Sequence, residues 1–419
     1  KALLKVAKIA HEARTAADYG VTTAQPQVEM PQVREYVREA IAGAYQHETP
    51  EVMTAKGIDV IKGTAHFVDP HTLQVDDQRL TAKKFIISTG ARPFIPPIPG
   101  LDAVPYITYH HLFEIDQLPE RFLIIGAGPI GAEMAQAYQR LGSQVTLIDV
   151  GLLPREEPEV AEVMEKVFLS EGIQLVKGLV SQAEQVDDEI ILTVDNQRFH
   201  GDKLLVAVGR TPNVRSLNLD TTGIDYSPKG IPVNKNMRTN VKHIYAVGDC
   251  VANNYQFTHV AGWQGFQAAR NILLPLNTSG FSNVIPWTTF TDPEVAHVGL
   301  TEAEAREKWG DKIRVTHWPM THNDRAIAEN DQAGFVKVVH KKNGKVLGAT
   351  IVAGRAGEMI TEFAIATNRK LTLYHLANVI HPYPTYSVAT MQLAGNAVIT
   401  GLLDTVIGDV AKFISRWIR

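Results

Sequence analysis

The sequence has little of several features that would narrow its function. Cys250 is the one cysteine among 419 residues, so the chain forms no internal disulfide, which fits a reducing compartment such as the cytoplasm. No apolar run reaches the roughly 18 residues that cross a bilayer, so a membrane partner is not expected. The net charge is −4 and lysine and arginine form no dense block, which disfavours nucleic acid as a partner.

The most informative stretch covers residues 122–149. Phe122–Ile125 is apolar and predicts a buried strand, and a Gly-x-Gly-x-x-Gly pattern follows it at the start of a predicted helix. A second predicted strand ends at Asp149, near the spacing of roughly 20 residues at which an acid binds a ribose hydroxyl. The glycines admit a pyrophosphate to the backbone, and the helix N-terminus offers it free N–H groups. We therefore predict a dinucleotide site formed by Gly126, Gly128, Pro129, Ile130, Gly131 and Asp149.

A long stretch of chain precedes this unit and has an organisation of its own. Its patterns predict helices at 1–18 and 31–46 and short strands at 59–61, 65–68 and 73–75. Two other strands each end in a glycine turn, at Gly90 and Gly209, and this repeat argues for two dinucleotide-binding domains. From about Ser282 the mixture of strands and surrounding helices predicts an α+β domain.

Taken in order, these motifs make the chain resemble the pyridine nucleotide–disulfide oxidoreductases, and mercuric reductase-like flavoproteins in particular. The resemblance rests on the glycine pattern followed by Glu133, on the turns at Gly90 and Gly209, and on the Gly-Asp pair ending in Asp249. It implies an α/β fold with two Rossmann-like dinucleotide-binding domains, for FAD and NAD(P), and a C-terminal α+β dimerisation domain. The implied bounds are 1–119 and 240–283 for the FAD-binding domain, 120–239 for the NAD(P)-binding domain and 284–419 for the C-terminal domain.

The resemblance also bears on the start of the chain. The segment from Lys1 is similar to the one that follows the second cysteine of the family's C-x4-C redox motif. The resemblance therefore implies a truncated sequence, with on the order of 40 residues missing before it. Lys1 then matches a lysine beside the flavin N5, and Glu133 matches the glutamate that pairs with it. A cation there would stabilise electron density on the flavin, and the carboxylate would hold the cation in place.

Further cofactor residues follow from the same resemblance. Asp249 matches the acid that binds the ribityl chain of FAD. Other matched positions near the cofactors are Ala65, Thr89, Gly90, Gly209, Thr258, His259, Val260 and Ala261. Asp149 would bind a ribose and repel a 2′-phosphate, which favours NADH, while NADPH use stays open. Cys250 has no partner cysteine and is expected to be an inert buried thiol.

The C-terminal segment departs from the family's disulfide reductases. Tyr383 stands where those enzymes have an acid–base histidine, and Val388 stands where they have the glutamate that orients it. A phenol, with a pKa near 10, stays protonated and donates a hydrogen bond instead of shuttling a proton. Mercuric reductases carry tyrosine here, so Tyr383 favours a metal ion as acceptor. Their terminal cysteine pair has no counterpart at 413–419, so a disulfide acceptor stays open; His381 is expected to be structural.

The resemblance thus implies a homodimeric flavoenzyme. NADH would pass hydride to FAD, the flavin would reduce a cysteine pair upstream of Lys1, and the dithiol, near Tyr383 of the partner subunit, would reduce a metal ion or a disulfide. Two alternatives stay open: an NADH oxidase, peroxidase or quinone reductase without the dithiol, and a catalytically inactive nucleotide-sensing flavoprotein. An amphipathic stripe at 402–418 predicts a helix that packs on protein, with membrane-surface binding as the alternative.

Overall fold

The computed structural model describes residues 1–274 and 277–403, so the tail beyond Leu403, with most of the predicted amphipathic helix, lies outside the described residues. The helices described are α1 (Ala2–Thr15), α2 (Met30–Tyr45), α3 (Pro50–Ala55), α4 (Pro129–Leu141), α5 (Pro158–Ser170), α6 (Thr258–Leu273), α7 (Glu302–Trp309), α8 (Asp324–Ala328), α9 (Ala356–Asn368), α10 (Leu373–Ala377) and α11 (Val388–Leu403). Within this part of the chain, no helix has the length and apolar character needed to cross a bilayer.

The strands are described in the same order along the chain. They are β1 (Ala65–Asp69), β2 (Thr72–Val75), β3 (Gln78–Thr81), β4 (Phe85–Ile87), β5 (Ala91–Pro93), β6 (Tyr106–Ile107), β7 (Arg121–Ile125), β8 (Gln144–Asp149), β9 (Gln174–Lys177), β10 (Val180–Val186), β11 (Glu189–Val194), β12 (Gln197–Gly201), β13 (Lys203–Val206), β14 (Arg210–Pro212), β15 (Ile244–Ala246), β16 (Pro286–Thr289), β17 (Glu294–Gly299), β18 (Ile313–Pro319), β19 (Phe335–Lys341) and β20 (Val346–Ala353). β1–β2–β3 and β10–β11–β12 form two separate three-stranded antiparallel sheets.

A parallel sheet carries the glycine-rich turn. Its five strands run in the order β6–β13–β7–β8–β9. The apolar residues of β7 are buried because β13 and β8 flank the strand and α4 packs on it. Helix α4 begins at Pro129, where a missing N–H costs nothing because the first turn has no intrahelical acceptor for it. The predicted strand–turn–helix–strand unit is therefore confirmed, and a dinucleotide site is expected at the carboxyl ends of β7 and β8.

The two strand-and-glycine turns noticed in the sequence pair with each other. β5, which follows Gly90, runs antiparallel to β14, which follows Gly209. Thr89 Oγ1 donates to Asn213 O at 2.7 Å, and Asn213 Nδ2 donates to Thr89 O at 3.1 Å, so side chains join the turns as well. β4 lies parallel to β15, the strand that leads to Asp249. These pairings join the chain segment that precedes β7 to the segment that follows β13.

The C-terminal part is one antiparallel sheet with helices against it. The strand order is β16–β17–β20–β19–β18. β20 is buried along its whole length and β19 along nearly all of it. Helix α9 packs on β17 and β20, and its Met359 and Phe363 belong to the shared apolar core. The predicted α+β character of this part is confirmed.

Helix α1 packs along α4, although more than a hundred residues separate them. Leu3 and Ala7 of α1 share one apolar core with Ala135 and Tyr138 of α4. These side chains recur at helical spacing and are nearly fully buried, which is the burial that stabilises a helix of this length. The contact brings Lys1, just before α1, to the first turns of α4.

Two local predictions need correction, and one helix was missed. The predicted strand at 59–61 is wrong: these residues lie outside every strand that the structure describes, because a short segment without a pairing partner gains no ladder hydrogen bonds. The first helix is shorter than predicted, since a 3-10 turn and Gly20, with φ at 75°, end it. Helix α3 was not predicted; its first N–H groups are capped by Thr49, whose hydroxyl accepts from Val52 N at 3.4 Å.

Candidate functional site

The glycine turn between β7 and α4 has the geometry that a dinucleotide site requires. A Cβ on Gly131 would lie 1.7 Å from Gly126 O, so only glycine lets the helix pack this close to the turn. Gly126 has φ at 105°, a left-handed conformation that L side chains avoid. Around Gly128, by contrast, a Cβ would meet no atom within 4 Å, which leaves room for a phosphate to approach the backbone. Pro129 and Ile130 form the first turn of α4 at this opening.

Asp149, at the end of β8, is tied to this turn. Its Oδ2 accepts a hydrogen bond from Ala127 N at 2.6 Å, and its Oδ1 accepts one from Val150 N at 2.7 Å. Leu153 N in turn donates to Ala127 O at 2.9 Å. The carboxylate therefore positions the glycine turn in addition to its predicted role toward a ribose, and that role stays a prediction.

Lys1 and Glu133 form a direct ion pair. Lys1 Nζ lies 2.8 Å and 2.9 Å from the two carboxylate oxygens of Glu133. Glu133 Oε1 also accepts from Phe290 N at 2.9 Å, and Lys1 Nζ lies 3.7 Å from the centroid of the Phe290 ring. The structure thus brings together the two residues predicted as a pair and adds Phe290 from the C-terminal part, which sequence reasoning missed.

This ion pair borders an open cavity of about 340 Å³. Residues lining the cavity include Lys1, Tyr109, Ile130, Glu133, Met134 and Arg210. An apolar wall with a lysine, an arginine and a carboxylate at its edge suits a flat aromatic ligand with polar groups. The cavity therefore connects the predicted flavin lysine with the first turn of the nucleotide-binding helix.

Asp249, the predicted ribityl ligand, is almost buried and pairs with Arg210. Arg210 Nη1 lies 2.6 Å from Asp249 Oδ2, and Arg210 Nε donates to the Tyr109 hydroxyl at 3.3 Å. The arginine had not been singled out from the sequence, although it directly follows Gly209 in the glycine turn. Gly248 is the residue before Asp249, and a Cβ on it would lie 2.9 Å from Ala261 Cβ. Helix α6 therefore approaches the Gly-Asp turn closely.

The other predicted cofactor residues form two groups, and Ala65 lies apart from both. Thr258, His259, Val260 and Ala261 form the first turn of α6, next to the Asp249 turn. Thr89 and Gly90 lie in the turn joined to Asn213. Ala65 begins β1, paired with Val75, and belongs to a separate sheet. Both groups lie near Asp249, whereas Ala65 lies on a different sheet, whose Phe67 shares an apolar core with Val247 and Cys250.

A row of aromatic rings leads away from α6. His259 stacks on Phe257 with ring centroids 5.3 Å apart, and Phe257 lies 6.2 Å from Trp287. Trp287 Nε1 donates to Glu156 Oε1 at 2.6 Å. Burial raises the pKa of Glu156 to about 7, and the nearby Glu157 adds to the shift. This titrating carboxyl group links the loop after β8 to the C-terminal sheet, and the sequence did not indicate it.

Tyr383 lies on the C-terminal part with its side chain mostly exposed. Its hydroxyl donates to Asp324 Oδ2 at 2.8 Å, and this hydrogen bond raises the pKa of the phenol. Tyr383 is not among the described residues that line the cavity, so within one chain the structure does not bring it to the Lys1–Glu133 pair. His381 is buried, with Nε2 3.0 Å from Glu362 Oε1, which agrees with a structural histidine.

Neither a metal site nor a reactive thiol is found among the described residues. Across 1–274 and 277–403, no three or more His, Cys, Asp or Glu side chains are arranged to hold a metal ion. Cys250 is fully buried, and its thiol donates to Val247 O at 3.2 Å. Burial raises the pKa of this thiol, so it is a poor nucleophile, as expected from the sequence.

The fold and the glycine turn define a class, and the comparisons with known proteins agree. The family described as pyridine nucleotide-disulphide oxidoreductase matches residues 1–265, and the dimerisation domain of the same family matches residues 285–394. The chain therefore belongs to the pyridine nucleotide-disulphide oxidoreductases. The predicted fold class is confirmed: a mixed α/β protein with the family's dimerisation domain at its C-terminal side.

Relatives of this chain include several enzymes of the family. The chain is 35% identical over 394 residues to a mercuric reductase of Lysinibacillus sphaericus, covering 92% of this chain and 72% of the relative. It is 34% identical over 417 residues to a dihydrolipoyl dehydrogenase of Haloferax volcanii, covering 95% and 86%. Among solved structures, the Cu(II) complex of the flavoprotein disulfide reductase RclA from Escherichia coli matches with a TM-score of 0.84 and 26% identity, covering 94% and 89%.

Membership of this family implies FAD and a nicotinamide nucleotide as cofactors. The residues present fit both groups. The open space at Gly128 and the first turn of α4 suit a pyrophosphate, and the cavity beside Lys1 suits a flat ring system. The almost buried Asp249 lies at the Gly-Asp turn against α6, where a carboxylate can accept hydrogen bonds from hydroxyl groups.

Proposed function

We propose that this protein is a homodimeric FAD-dependent NADH oxidoreductase that reduces an electrophilic metal ion through a redox cysteine pair. The observation that carries the proposal is the Lys1–Glu133 pair, held by Phe290 N and bordering a cavity next to the nucleotide-binding turn. FAD, when bound, would take up electrons from the nicotinamide and transmit them to the acceptor side. The cysteine pair would lie on the N-terminal side of Lys1, as the family resemblance implies.

The chain's own residues have separate tasks in this proposal. Glu133 fixes the ammonium group of Lys1 at the cavity edge, where a positive charge stabilises negative charge on a bound ring system. Gly126, Gly128 and Gly131 bind the pyrophosphate of NADH through backbone N–H groups, together with Pro129 and Ile130 in the first turn of α4. Asp249 and the first turn of α6 hold the ribityl side of the flavin, and Arg210 holds Asp249 in place.

The choice of NADH rests on Asp149. Its negative charge would repel the 2′-phosphate of NADPH. Asp149→Asn keeps an oxygen for Ala127 N but removes that charge, so we expect the ratio of kcat/KM for NADH to kcat/KM for NADPH to fall about tenfold. An unchanged ratio would mean that Asp149 serves only the glycine turn.

The choice of a metal ion as electron acceptor rests on Tyr383, which in the proposed dimer would lie near the cysteine pair of the partner subunit. A phenol cannot replace histidine as a proton shuttle, whereas its oxygen can ligate a cation. Mercuric reductases are among the relatives of this chain, and the related RclA structure is a Cu(II) complex. A disulfide acceptor is the second candidate, because a dihydrolipoyl dehydrogenase matches over almost the same length.

The first experiment is an anaerobic titration of the full-length natural protein with NADH, followed by visible absorbance. A long-wavelength charge-transfer band after two-electron reduction supports a thiolate beside the flavin. Simple bleaching without that band supports an NADH oxidase, peroxidase or quinone reductase instead. No spectral change at all supports a nucleotide-sensing flavoprotein. Steady-state assays with Hg²⁺, Cu²⁺ and lipoamide then separate metal ions from disulfides.

The role of the ion pair has its own variant and control. Lys1→Met should slow flavin reduction or reoxidation strongly, because the cation at the cavity edge is lost. Lys5→Met is the matched control. Lys5 lies on α1 and is exposed, as Lys1 is, but it is not among the described residues that line the cavity. Equal rates in both variants would remove Lys1 from the active site.

A further inference from the structure

The segment that joins β16 to β17, residues 290–293, is held against α4 by backbone hydrogen bonds. Phe290 N donates to Glu133 Oε1 at 2.9 Å. Asp292 N donates to Gln136 Oε1 at 2.7 Å, and Gln136 Nε2 donates to Asp292 O at 2.7 Å. Glu133 and Gln136 are three residues apart and lie on the same face of the helix, so the segment is fixed at two successive points of that face.

The side chain of Asp292 adds a third connection, one turn further along α4. Its Oδ2 lies 2.8 Å from Arg140 Nη1, and its Oδ1 lies 3.1 Å from Lys8 Nζ on α1. Burial would raise the pKa of Asp292, but Arg140 and Lys8 outweigh it and lower the pKa, so the carboxylate stays charged at neutral pH. Gln136 and Arg140 are themselves buried. The segment is therefore attached to side chains that are already fixed by packing, unlike a contact between two mobile surface groups.

The same segment holds the Phe290 ring against the ammonium group of Lys1. Lys1 Nζ lies 3.7 Å from the centroid of the ring, well inside the distance of about 6 Å within which a ring face attracts a cation. Lys1 Nζ also lies 2.8 Å from Glu133 Oε1, the atom that accepts the hydrogen bond from Phe290 N. Phe290, Lys1 and Glu133 thus form a closed set of contacts in which each residue is fixed by the other two.

Lys1 depends on such contacts for its position, because its side chain is mostly exposed to solvent. A lysine side chain has many rotamers, and an ion pair that water can reach restricts them only weakly. The Phe290 ring adds a second attractive surface for the ammonium group. Phe290 is not among the described residues that line the cavity, whereas Lys1 and Glu133 are. An effect of the ring on a ligand in the cavity must therefore pass through Lys1.

We propose that Phe290 is a positioning residue for Lys1, and that Gln136 and Asp292 hold Phe290 in the orientation that this role requires. The inference rests on the proposed function, because Lys1 is the residue proposed to lie beside the flavin. A cation that is fixed at the edge of the cavity stabilises negative charge on a bound ring system. The C-terminal part of the chain thereby sets how readily electrons are accepted at a site formed by the N-terminal part.

The test measures the midpoint potential of the flavin in the full-length, FAD-loaded protein by equilibration with a reference dye. Phe290→Leu keeps the backbone N–H for Glu133 and replaces the ring with an aliphatic group. We expect the equilibrium constant for flavin reduction to fall about tenfold, which is about 30 mV for a two-electron couple. Phe290→Tyr keeps an aromatic face and should leave the potential at the wild-type value. Phe281→Leu is the matched control, because Phe281 is 40% exposed and Phe290 is 37% exposed.

A second variant tests how Phe290 is held. Gln136→Met removes both hydrogen bonds to the Asp292 backbone and keeps a side chain of similar length. We expect a smaller shift of the potential in the same direction. Combining this change with Phe290→Leu should add no further shift, because both changes act through the position of Lys1. A wild-type potential in Gln136→Met would overturn the role given to Gln136 and Asp292.

The potential also separates this inference from the proposed function. An unchanged potential in Phe290→Leu, or an equal loss in Phe290→Tyr, would overturn the inference and leave Phe290 as a packing residue. Lys1→Met is measured beside these variants. A shift in Lys1→Met without one in Phe290→Leu retains the proposed function and rejects the inference, whereas no shift in either variant removes Lys1 itself from the flavin site.

Discussion

Two lysines, Lys1 and Lys337, each form an ion pair between distant parts of the chain, and the two side chains differ in their exposure to solvent. Lys1 pairs with Glu133 at the edge of a cavity, and its side chain is 57% exposed. Lys337 on β19 contacts Glu159 at 2.7 Å, Glu302 at 2.9 Å and Glu157 at 3.2 Å, with a side chain only 3% exposed. Both contacts join elements that are distant in the chain, yet only one of them is closed to solvent.

The difference in burial leads us to predict that Lys1 serves function and that Lys337 serves stability. A buried cation must be surrounded by partners, because desolvation would otherwise exceed the Coulomb gain. Burial alone would lower the pKa of Lys337, but the hydrogen bonds to Glu159 and Glu302 outweigh it and raise the pKa. Lys1 has one carboxylate partner and an aromatic ring, and its exposed side leaves room for a ligand. We therefore predict that the Lys1–Glu133 pair, which is open to solvent, is the one that takes part in the reaction.

Lys337→Met should give the largest loss of stability. It leaves the buried Glu157 without its cation and removes one cationic partner from Glu159 and from Glu302, which costs about 3–5 kcal/mol in the free energy of unfolding. Urea unfolding followed by circular dichroism measures the loss. Lys342→Met, at an exposed position near the end of β19, is the control. A loss no greater than in the control would mean that the buried cluster contributes nothing net.

Glu156→Gln should give an intermediate effect that depends on pH. The folded pKa of Glu156, about 7, lies above its ordinary value of 4.5, so its contribution to stability is complete below about pH 4.5 and is lost as the pH rises through about 7. The glutamine keeps an oxygen for Trp287 Nε1 and carries no charge. The free energy of unfolding of the variant, relative to that of the wild type, should therefore rise by on the order of 2 kcal/mol as the pH increases from about 5 to about 8.

The measurement is the difference in melting temperature between this variant and the wild type at several pH values. Glu165→Gln, on α5 and exposed, is a matched control. A difference that does not vary with pH would show that Glu156 does not titrate in this range.

Glu133→Gln should have the smallest effect on stability, below about 1 kcal/mol, because its partner Lys1 is largely exposed and screened by solvent. The amide oxygen still accepts from Phe290 N, so the local backbone contact survives. Differential scanning calorimetry beside a flavin-reduction assay separates stability from activity. A loss as large as that of Lys337→Met would erase the contrast between the two lysines.

The features that the sequence predicted correctly depend on residues that are close together in the chain. The strand–glycine–helix unit from Phe122 to Asp149 was predictable, since each glycine has a steric role within a few residues of itself. The α+β character after about Ser282 followed from the alternation of strands and helices. The wrong strand at 59–61 had a suitable pattern, but pattern alone cannot show whether a neighbouring strand is present to pair with it.

Other contacts became visible only in three dimensions. Arg210 meets Asp249, Asp324 meets Tyr383, and Lys337 gathers three carboxylates. A single charged residue on an exposed-looking strand or turn has the same pattern whether it is solvated or paired, so composition and spacing do not distinguish the two. Resemblance to a family linked Lys1 with Glu133, whereas it gave no indication of Phe290 beside them.

The sequence by itself determined the strand, glycine turn and helix around Gly126–Gly131, because these depend on backbone sterics and local periodicity. The order of its motifs indicated the family. The tertiary structure decided which charges are buried, which hydroxyl meets which carboxylate and which lysine stays open to a ligand. Those properties depend on the desolvation and mutual geometry of side chains from distant elements, and packing alone sets both.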